Sequence, residues 1–283
     1  MNNSFEITPK ISIVVPCYNH GKYIMDTIRS VEKIRDKNLY ELIIVNDGST
    51  DEYTNVKLKE LENAGYYVIF QENKGLSETR NAAIKLARGE YILPLDADNM
   101  IEPEYVYEAI EVMDRDKSIS IVYSDGEFFG DETGTKWQRE YNLQKLMLHN
   151  TIDACAIFRK KVWVEVNGYD KNMKYGLEDW EFWLHASFKG FKFHYVNKNL
   201  FHYRVLHQSM VKNLNDSKIK NDYLIDYLDS KHSHYFGHQH MDEFFMRRLN
   251  QNPLGFILKI IIKKYFPRLY ASLVKKGKFR KYI

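Results

Sequence analysis

The chain is short of three things, and each absence narrows the reading. It has two cysteines in 283 residues, Cys17 and Cys155. They are too few for a disulfide framework or a thiolate metal centre, so both read as reduced core residues of a cytosolic protein. No apolar run reaches the roughly 18 residues that cross a bilayer, and the opening MNNSFEITPK holds no apolar stretch of the secretory-signal kind. No internal repeat or low-complexity tract is visible, which sets aside a solenoid. What remains is 44% apolar and 28% charged, the composition of a globular protein with a sizeable core. The length suits one large domain, or a domain with an appendage.

Acidic residues are missing from one region only. From Gln251 to Ile283 there are nine Lys and Arg and no Asp or Glu, so against a total of +3 the first 250 residues carry −6. An acidic body with a basic tail argues against a nucleic-acid partner.

The stretch around which the rest is organised is GEYILPLDADN, Gly89 to Asn99. Tyr91 to Leu95 is an apolar run of strand length that stops at two carboxylates, as a buried parallel strand does when its carboxyl end carries a site. In strand geometry Asp96 and Asp98 share a face. Two such carboxylates suit a hard divalent cation that keeps positions open for water and phosphate oxygens. The same pair also reads as the start of a solvated loop.

Upstream, strands are expected at Ile11 to Val15, ended by Pro16, at Leu42 to Val45 and at Tyr66 to Phe70. Helical spacing covers Tyr23 to Ile34 and Leu76 to Ala87. Strand and helix alternate, which predicts a parallel sheet with right-handed crossovers. Beyond Pro103 come a helix to about Arg115, a strand at Ile119 to Ser124, a hairpin within Glu127 to Gln138 and a helix within Tyr141 to His149. A strand at Ala154 to Phe158, a helix at Lys160 to Val166 and a helix at Leu177 to Lys189 follow. Two more strands are expected, Phe191 to Val196 and Leu200 to Arg204. A polar connector at Asn213 to Ser217 leads to helical stretches at Ile219 to Leu228 and Asp242 to Leu249.

Five blocks occur in a telling order: VVPCYNHGKYI from Val14, LIIVNDGSTD from Leu42, ENKGLSETRNAAIKLARGEYILPLDADN from Glu72, GLEDWEFWL from Gly176 and YRVLHQSM from Tyr203. Together they resemble glycosyltransferase family 2, inverting enzymes of the GT-A fold, over about residues 9 to 210. The resemblance implies an α/β fold, a Rossmann-like and mostly parallel sheet flanked by helices. It divides the chain into a GT-A domain, residues 1–212, and a helical extension, residues 213–283.

The resemblance also implies roles. Pro16, Tyr18 and Asn19 frame the base of a UDP-sugar donor, and Asp47 accepts from an N–H of its uracil ring. Arg80 reaches ribose or diphosphate. Asp98 ligates Mn²⁺ or Mg²⁺, while Asp96 contacts ribose or the water shell of the metal; Asn99 stands where the family often has a third carboxylate. Asp125 lies near the donor sugar or the acceptor. Asp179 is the base that deprotonates the acceptor hydroxyl and Glu178 orients it. The helix dipole is expected to keep both ionised, with Trp180 and Trp183 as sugar-stacking faces. Arg204, His207 and Ser209 resemble the closing segment, in which His207 ligates the metal and Arg204 and Ser209 hold diphosphate. His207 sits one residue off the family spacing, and His202 competes for its task. Bland alternatives stand beside these roles: a turn cap for Asp47, a solvated helix charge for Arg80, a structural histidine for His207.

The implied acceptor is a glycan or a lipid-linked one, on the cytoplasmic face of the membrane in surface polysaccharide synthesis. Two rivals remain, a nucleotidyltransferase and a catalytically silent nucleotide-sugar-binding subunit. The first would want a Gly-rich phosphate loop with Lys after the opening strand, where this chain has PCYNHGKY. In the tail, LGFILKIIIKKYF places Leu254, Ile257, Leu258, Ile261, Ile262 and Tyr265 on one helical face with Lys259 and Lys263 opposite. Pro267 ends that helix, and five Lys/Arg lie between Lys275 and Lys281. Residues 254–283 therefore read as an interfacial anchor on anionic lipid, as a helix packed on the body, or as a homodimer interface.

Overall fold

The computed structural model describes residues 8–206, 218–235 and 253–275. It falls into two compact units, Met1–Asn213 and Leu214–Ile283. The first unit is built on β1 (Ile11–Cys17), whose residues are all buried. That run of Ile and Val is inside because a parallel strand lies on each side of it: β2 (Tyr40–Asp47) and β4 (Tyr91–Pro94). β3 (Tyr67–Gln71) extends the sheet beyond β2, also parallel. Helices α1 (Ile24–Glu32), α2 (Glu52–Asn63) and α3 (Leu76–Leu86) make the three crossovers. Cys17 pairs in register with Asn46, and Asp47 with Gln71. The loops that follow these strands are therefore gathered along one edge.

The sheet then changes character. β5 (Met100–Ile101), α4 (Pro103–Arg115), β6 (Ile119–Gly130), β7 (Gly134–Lys136), α5 (Leu143–Leu148), β8 (Ile157–Arg159), α6 (Lys160–Glu165), α7 (Glu178–Phe188) and β9 (Lys192–Val205) follow in order. The nine-stranded order is β3-β2-β1-β4-β8-β6-β9-β5, with β7 pairing β6. β8 runs antiparallel to both β4 and β6, while β6 and β9 are parallel. Alternation of strand and helix thus predicts the first half of the sheet well and the second half only in part.

The two strands expected between Phe191 and Arg204 are one. β9 carries the intervening Asn197, Lys198 and Asn199 as a bulge, where register on β6 slips between Ser124 and Asp125. Exposed polar residues look like a turn in sequence, but here they are excess length absorbed by a bent strand. Opposite them, a Cβ on Gly126 would meet the Phe201 ring at 2.6 Å, so only glycine allows this close pairing.

The second unit contains α8 (Lys218–Lys231), α9 (Pro253–Tyr265) and α10 (Pro267–Lys275). The stretches Asn213 to Ser217 and Asp242 to Leu249 lie outside the described residues. No described helix is long and apolar enough to cross a membrane.

Candidate active site

Asp47 ends β2, and its carboxylate takes three donors: the Gln71 side-chain amide at 2.7 Å and the Lys74 and Gly75 backbone N–H groups, each at 2.9 Å. Gly48 makes that embrace possible, since at φ +63° a Cβ there would lie 2.5 Å from the Asn73 nitrogen. Oδ1 accepts two of the bonds and Oδ2 one, which leaves Oδ2 able to accept a further donor. Asn19, at φ +58°, clasps the neighbouring loop. Its Oδ1 accepts from Thr50 N–H at 2.8 Å and Asp51 N–H at 2.9 Å, and its own N–H donates to Ser49 Oγ at 3.0 Å. Pro16 is buried within β1, and Tyr18 presents an exposed ring beside this clasp.

One step further along the edge, Arg80 on α3 is buried between two carboxylates. Its Nη2 donates to Asp96 at 2.6 Å and its Nη1 to Glu178. Burial by itself favours the neutral guanidine; the charges of Asp96 and Glu178 outweigh it and hold the group ionised. This differs from the expectation of a free arginine, because no exposed guanidinium is left to offer ribose or diphosphate. Instead, Arg80 fastens the Asp-x-Asp turn after β4 to the start of α7.

Helix α7 is launched from an uncommon backbone. Gly176 has φ +117° and Leu177, a non-glycine residue, φ +60°, a conformation that persists only where the surroundings enforce it. No side chain caps this terminus. Glu178 and Asp179 are delivered there, Glu178 inward to Arg80 and Asp179 toward the partly open side. Asp179 Oδ2 accepts from Asn150 at 2.8 Å and Oδ1 from the Trp180 N–H at 2.8 Å. Its pKa is nevertheless pushed up to about 7, by burial first and then by the charges of Glu178 and Asp153, with Arg80 and Asn150 pulling the other way. The helix N-terminus therefore does not keep Asp179 fully ionised at neutral pH, contrary to expectation. Desolvation and two neighbouring carboxylates are the larger effects.

Trp180 and Trp183 are not stacking faces. Trp183 is fully buried against Phe158, Phe182 and Phe193, and Trp180 is nearly so, with its indole N–H donated to the Leu146 carbonyl. They form the apolar side of α7 and fix its position.

The structure adds residues that sequence reasoning passed over. Asp153 pairs with Lys136, and Lys136 Nζ stands 3.9 Å from the centre of the Tyr203 ring. Burial and the charges of Asp153, Asp96, Asp98 and Asp179 all raise the Tyr203 hydroxyl pKa, so this ring lies among the acids of the site. Asn150, Asp153 and Lys136 carry no readable local motif. Asp125 is fully buried and spoken for: Oδ1 accepts from the Gln138 N–H at 2.6 Å and Oδ2 from the Tyr195 hydroxyl.

Asp98 is held differently from Asp96. Its side chain is 14% exposed, and the His20 imidazole lies beside it, Nδ1 to Oδ2 3.7 Å. Burial raises its pKa to about 6, with Asp96 adding and His20 and Arg204 offsetting. Arg204 donates from Nε to the Asp98 carbonyl at 2.9 Å and from Nη2 to Asp26 at 2.7 Å, and it is sandwiched between the Tyr23 and Phe129 rings. Asn99 is buried, its Oδ1 accepting from the Arg204 N–H at 2.9 Å. Arg204 and Asn99 thus build the Asp98 turn from behind. His202 pairs with Glu102 at 2.7 Å and lies 3.7 Å from Glu127, which takes it away from Asp98. His20 is the histidine beside Asp98, while His207 and Ser209 lie outside the described residues.

An under-compensated buried carboxylate with a second one two residues away fits a divalent cation. Among the described residues no three His, Cys, Asp or Glu converge on one point. Asp98 and Asp96 would be the protein ligands, leaving the remaining positions to water and ligand oxygens.

The parallel strands with acids gathered at their carboxyl edge define an α/β nucleotide-binding architecture of the GT-A kind. The solved structure of S. aureus TarS 1-349 in complex with UDP-GlcNAc has this fold, with a TM-score of 0.60 and 21% identity over 79% of this chain and 73% of that one. Residues 12–166 match the model of Glycosyl transferase family 2, and the chain belongs to that family. It is 30% identical to the chondroitin synthase of Pasteurella multocida over 227 residues, 77% of this chain and 23% of that one. It is also 30% identical to the glycosyltransferase GlyG of Streptococcus pneumoniae over 217 residues, 69% of this chain and 70% of that one. The chain therefore spans only about a quarter of the chondroitin synthases it matches, 23% and 29% of their lengths.

Proposed function

We propose that the chain is an inverting glycosyltransferase that moves a sugar from a UDP-sugar donor to a glycan or lipid-linked acceptor in surface polysaccharide synthesis. The observation that carries the reading is Asp179 at the start of α7, a carboxylate with no cationic partner among the described residues that Asn150 and the Trp180 N–H hold in place, with burial, Glu178 and Asp153 raising its pKa. A general base is most effective when its pKa lies near the working pH. Family membership supports the reaction class; the UDP-GlcNAc bound in the S. aureus structure and the chondroitin synthase among the relatives support the donor and the context.

In this reading the free acceptor position on Asp47 Oδ2 receives the imide N–H of uracil. Tyr18 lies against the base, and Asn19 keeps the two nucleotide loops together. Asp98 and Asp96 would hold Mn²⁺ or Mg²⁺, which when bound would supply charge compensation for a diphosphate. Asp179 takes the proton of the acceptor hydroxyl as the acceptor oxygen bonds to the anomeric carbon and the bond to phosphate breaks on the opposite face. One displacement inverts the centre. Glu178, held by Arg80, fixes the direction of the Asp179 backbone and contributes charge beside it.

The test is UDP release from a panel of UDP-sugars, with and without Mn²⁺, for the unaltered chain and for Asp179→Asn. Metal-dependent release from one donor, lost in the variant, supports the reading. UDP binding without turnover points to a silent binding subunit. Turnover unchanged in Asp179→Asn removes Asp179 as the base.

A further inference from the structure

The basic tail plays no part in the chemistry above. In α9, Leu254 is 83% exposed, Leu258 54%, Ile261 42% and Tyr265 64%. These positions fall at i, i+4, i+7 and i+11, one stripe along a helix. Across the break at Phe266, itself exposed, Leu269 on α10 continues the apolar surface. Lys264 and Arg268 are exposed on the same pair of helices. The chain from Gln251 onward holds nine basic residues and no acidic one.

We propose that α9 and α10 dock on the surface of an anionic phospholipid bilayer. Two features select this occupant together. A row of exposed Leu, Ile, Tyr and Phe gains from entering the acyl boundary, and a uniformly cationic segment gains from anionic headgroups. A second copy of the chain would cover the apolar row but would bring nine like charges against nine. Nucleic acid would satisfy the charge and leave the apolar row in water. The helices are too short to span, so they lie in the interface plane. This inference is independent of the catalytic reading.

Flotation of the full chain with phosphatidylcholine vesicles, with and without phosphatidylglycerol, is the direct test. Binding should require phosphatidylglycerol and should fall as salt is raised from about 50 mM to about 500 mM. Each basic residue near the surface contributes about 1 kcal/mol, about fivefold in partitioning, so Lys264→Gln with Arg268→Gln should weaken binding by about 25-fold. Leu258→Glu with Ile261→Glu should abolish it, with donor hydrolysis unchanged as the check on folding. No binding to either vesicle, equal binding to both, or a Glu variant that floats as well as the parent overturns the proposal. A dimer that the Glu variant dissociates, in a chain that ignores vesicles, assigns the face to a second copy and also overturns it. The lipid and salt comparisons use the unaltered chain, so they decide the matter even where a variant fails to fold.

Discussion

The two ends of the site treat a carboxylate in opposite ways. At the β2 end, Asp47 receives three donors from the last residue of β3 and the loop that follows it. At the α7 end, Asp179 receives two donors and faces two further carboxylates, and its pKa rises to about 7. A carboxylate gripped by one side-chain amide and two backbone N–H groups is held in one orientation. A carboxylate with two donors, beside two further carboxylates and away from water, binds a proton more readily than a free one. Between the two, Arg80 joins them by holding Asp96 with one nitrogen and Glu178 with another.

Breaking that joint should have the largest effect. Arg80→Met leaves Asp96 and Glu178 without their shared counter-charge, and removing one partner of a buried ion pair costs about 3–5 kcal/mol. A urea titration should show that loss, accompanied by loss of turnover; a midpoint within error of the parent would show that the pairing is not structural.

Asp179→Asn should cut turnover by about 10²–10⁴-fold, the usual contribution of a general base, and yet should stabilise the fold. A carboxyl whose folded pKa lies above the unfolded value of about 3.9 destabilises the native state increasingly as pH rises from about 4 to about 7, and fully above that. Removing it should therefore add on the order of 4 kcal/mol at pH 8 and little at pH 4. Chemical denaturation at the two pH values checks the sign.

Asp47→Ala should do the reverse of Asp179→Asn. It takes the shared acceptor away from the Lys74 and Gly75 N–H groups, which lie in partly exposed chain, at about 1 kcal/mol of stability, and should weaken UDP binding in calorimetry. If stability rose instead, the contrast between the two carboxylates would fail.

The smallest effect is the most specific. In the parent, turnover should fall tenfold per pH unit below about 7 as Asp179 takes up its proton. Asp153→Asn removes one of the charges that raises Asp179, so the acid limb should move to lower pH with little change in the plateau. An unmoved limb would mean that Asp153 does not act on the base.

Legibility in the sequence followed distance along the chain. Residues 11–95 were readable because each strand, its turn and its helix are local, and apolar runs ending in Asn46-Asp47-Gly48 or Asp96-Ala97-Asp98 announce their own geometry. The single strand β9 was not readable: polar residues that bulge and polar residues that turn have the same composition, and pairing with β6 alone distinguishes them. Trp180 and Trp183 misled for a related reason. A tryptophan near a carboxylate suits a sugar or a core equally, and only packing against Phe158 and Phe193 decides.

The sequence by itself determined the family, the α/β order of the first half, the placement of acids at strand ends and the cationic tail, all properties of neighbouring residues or of composition. Tertiary structure alone decided what each acid is for. Arg80 meets Glu178 across 98 residues and Asn150 meets Asp179 across 29, and charge interaction and desolvation depend on distance in space. Asp47 and Asp179 are the same residue type in similar polar stretches; the company each keeps in the fold gives one three donors and raises the pKa of the other.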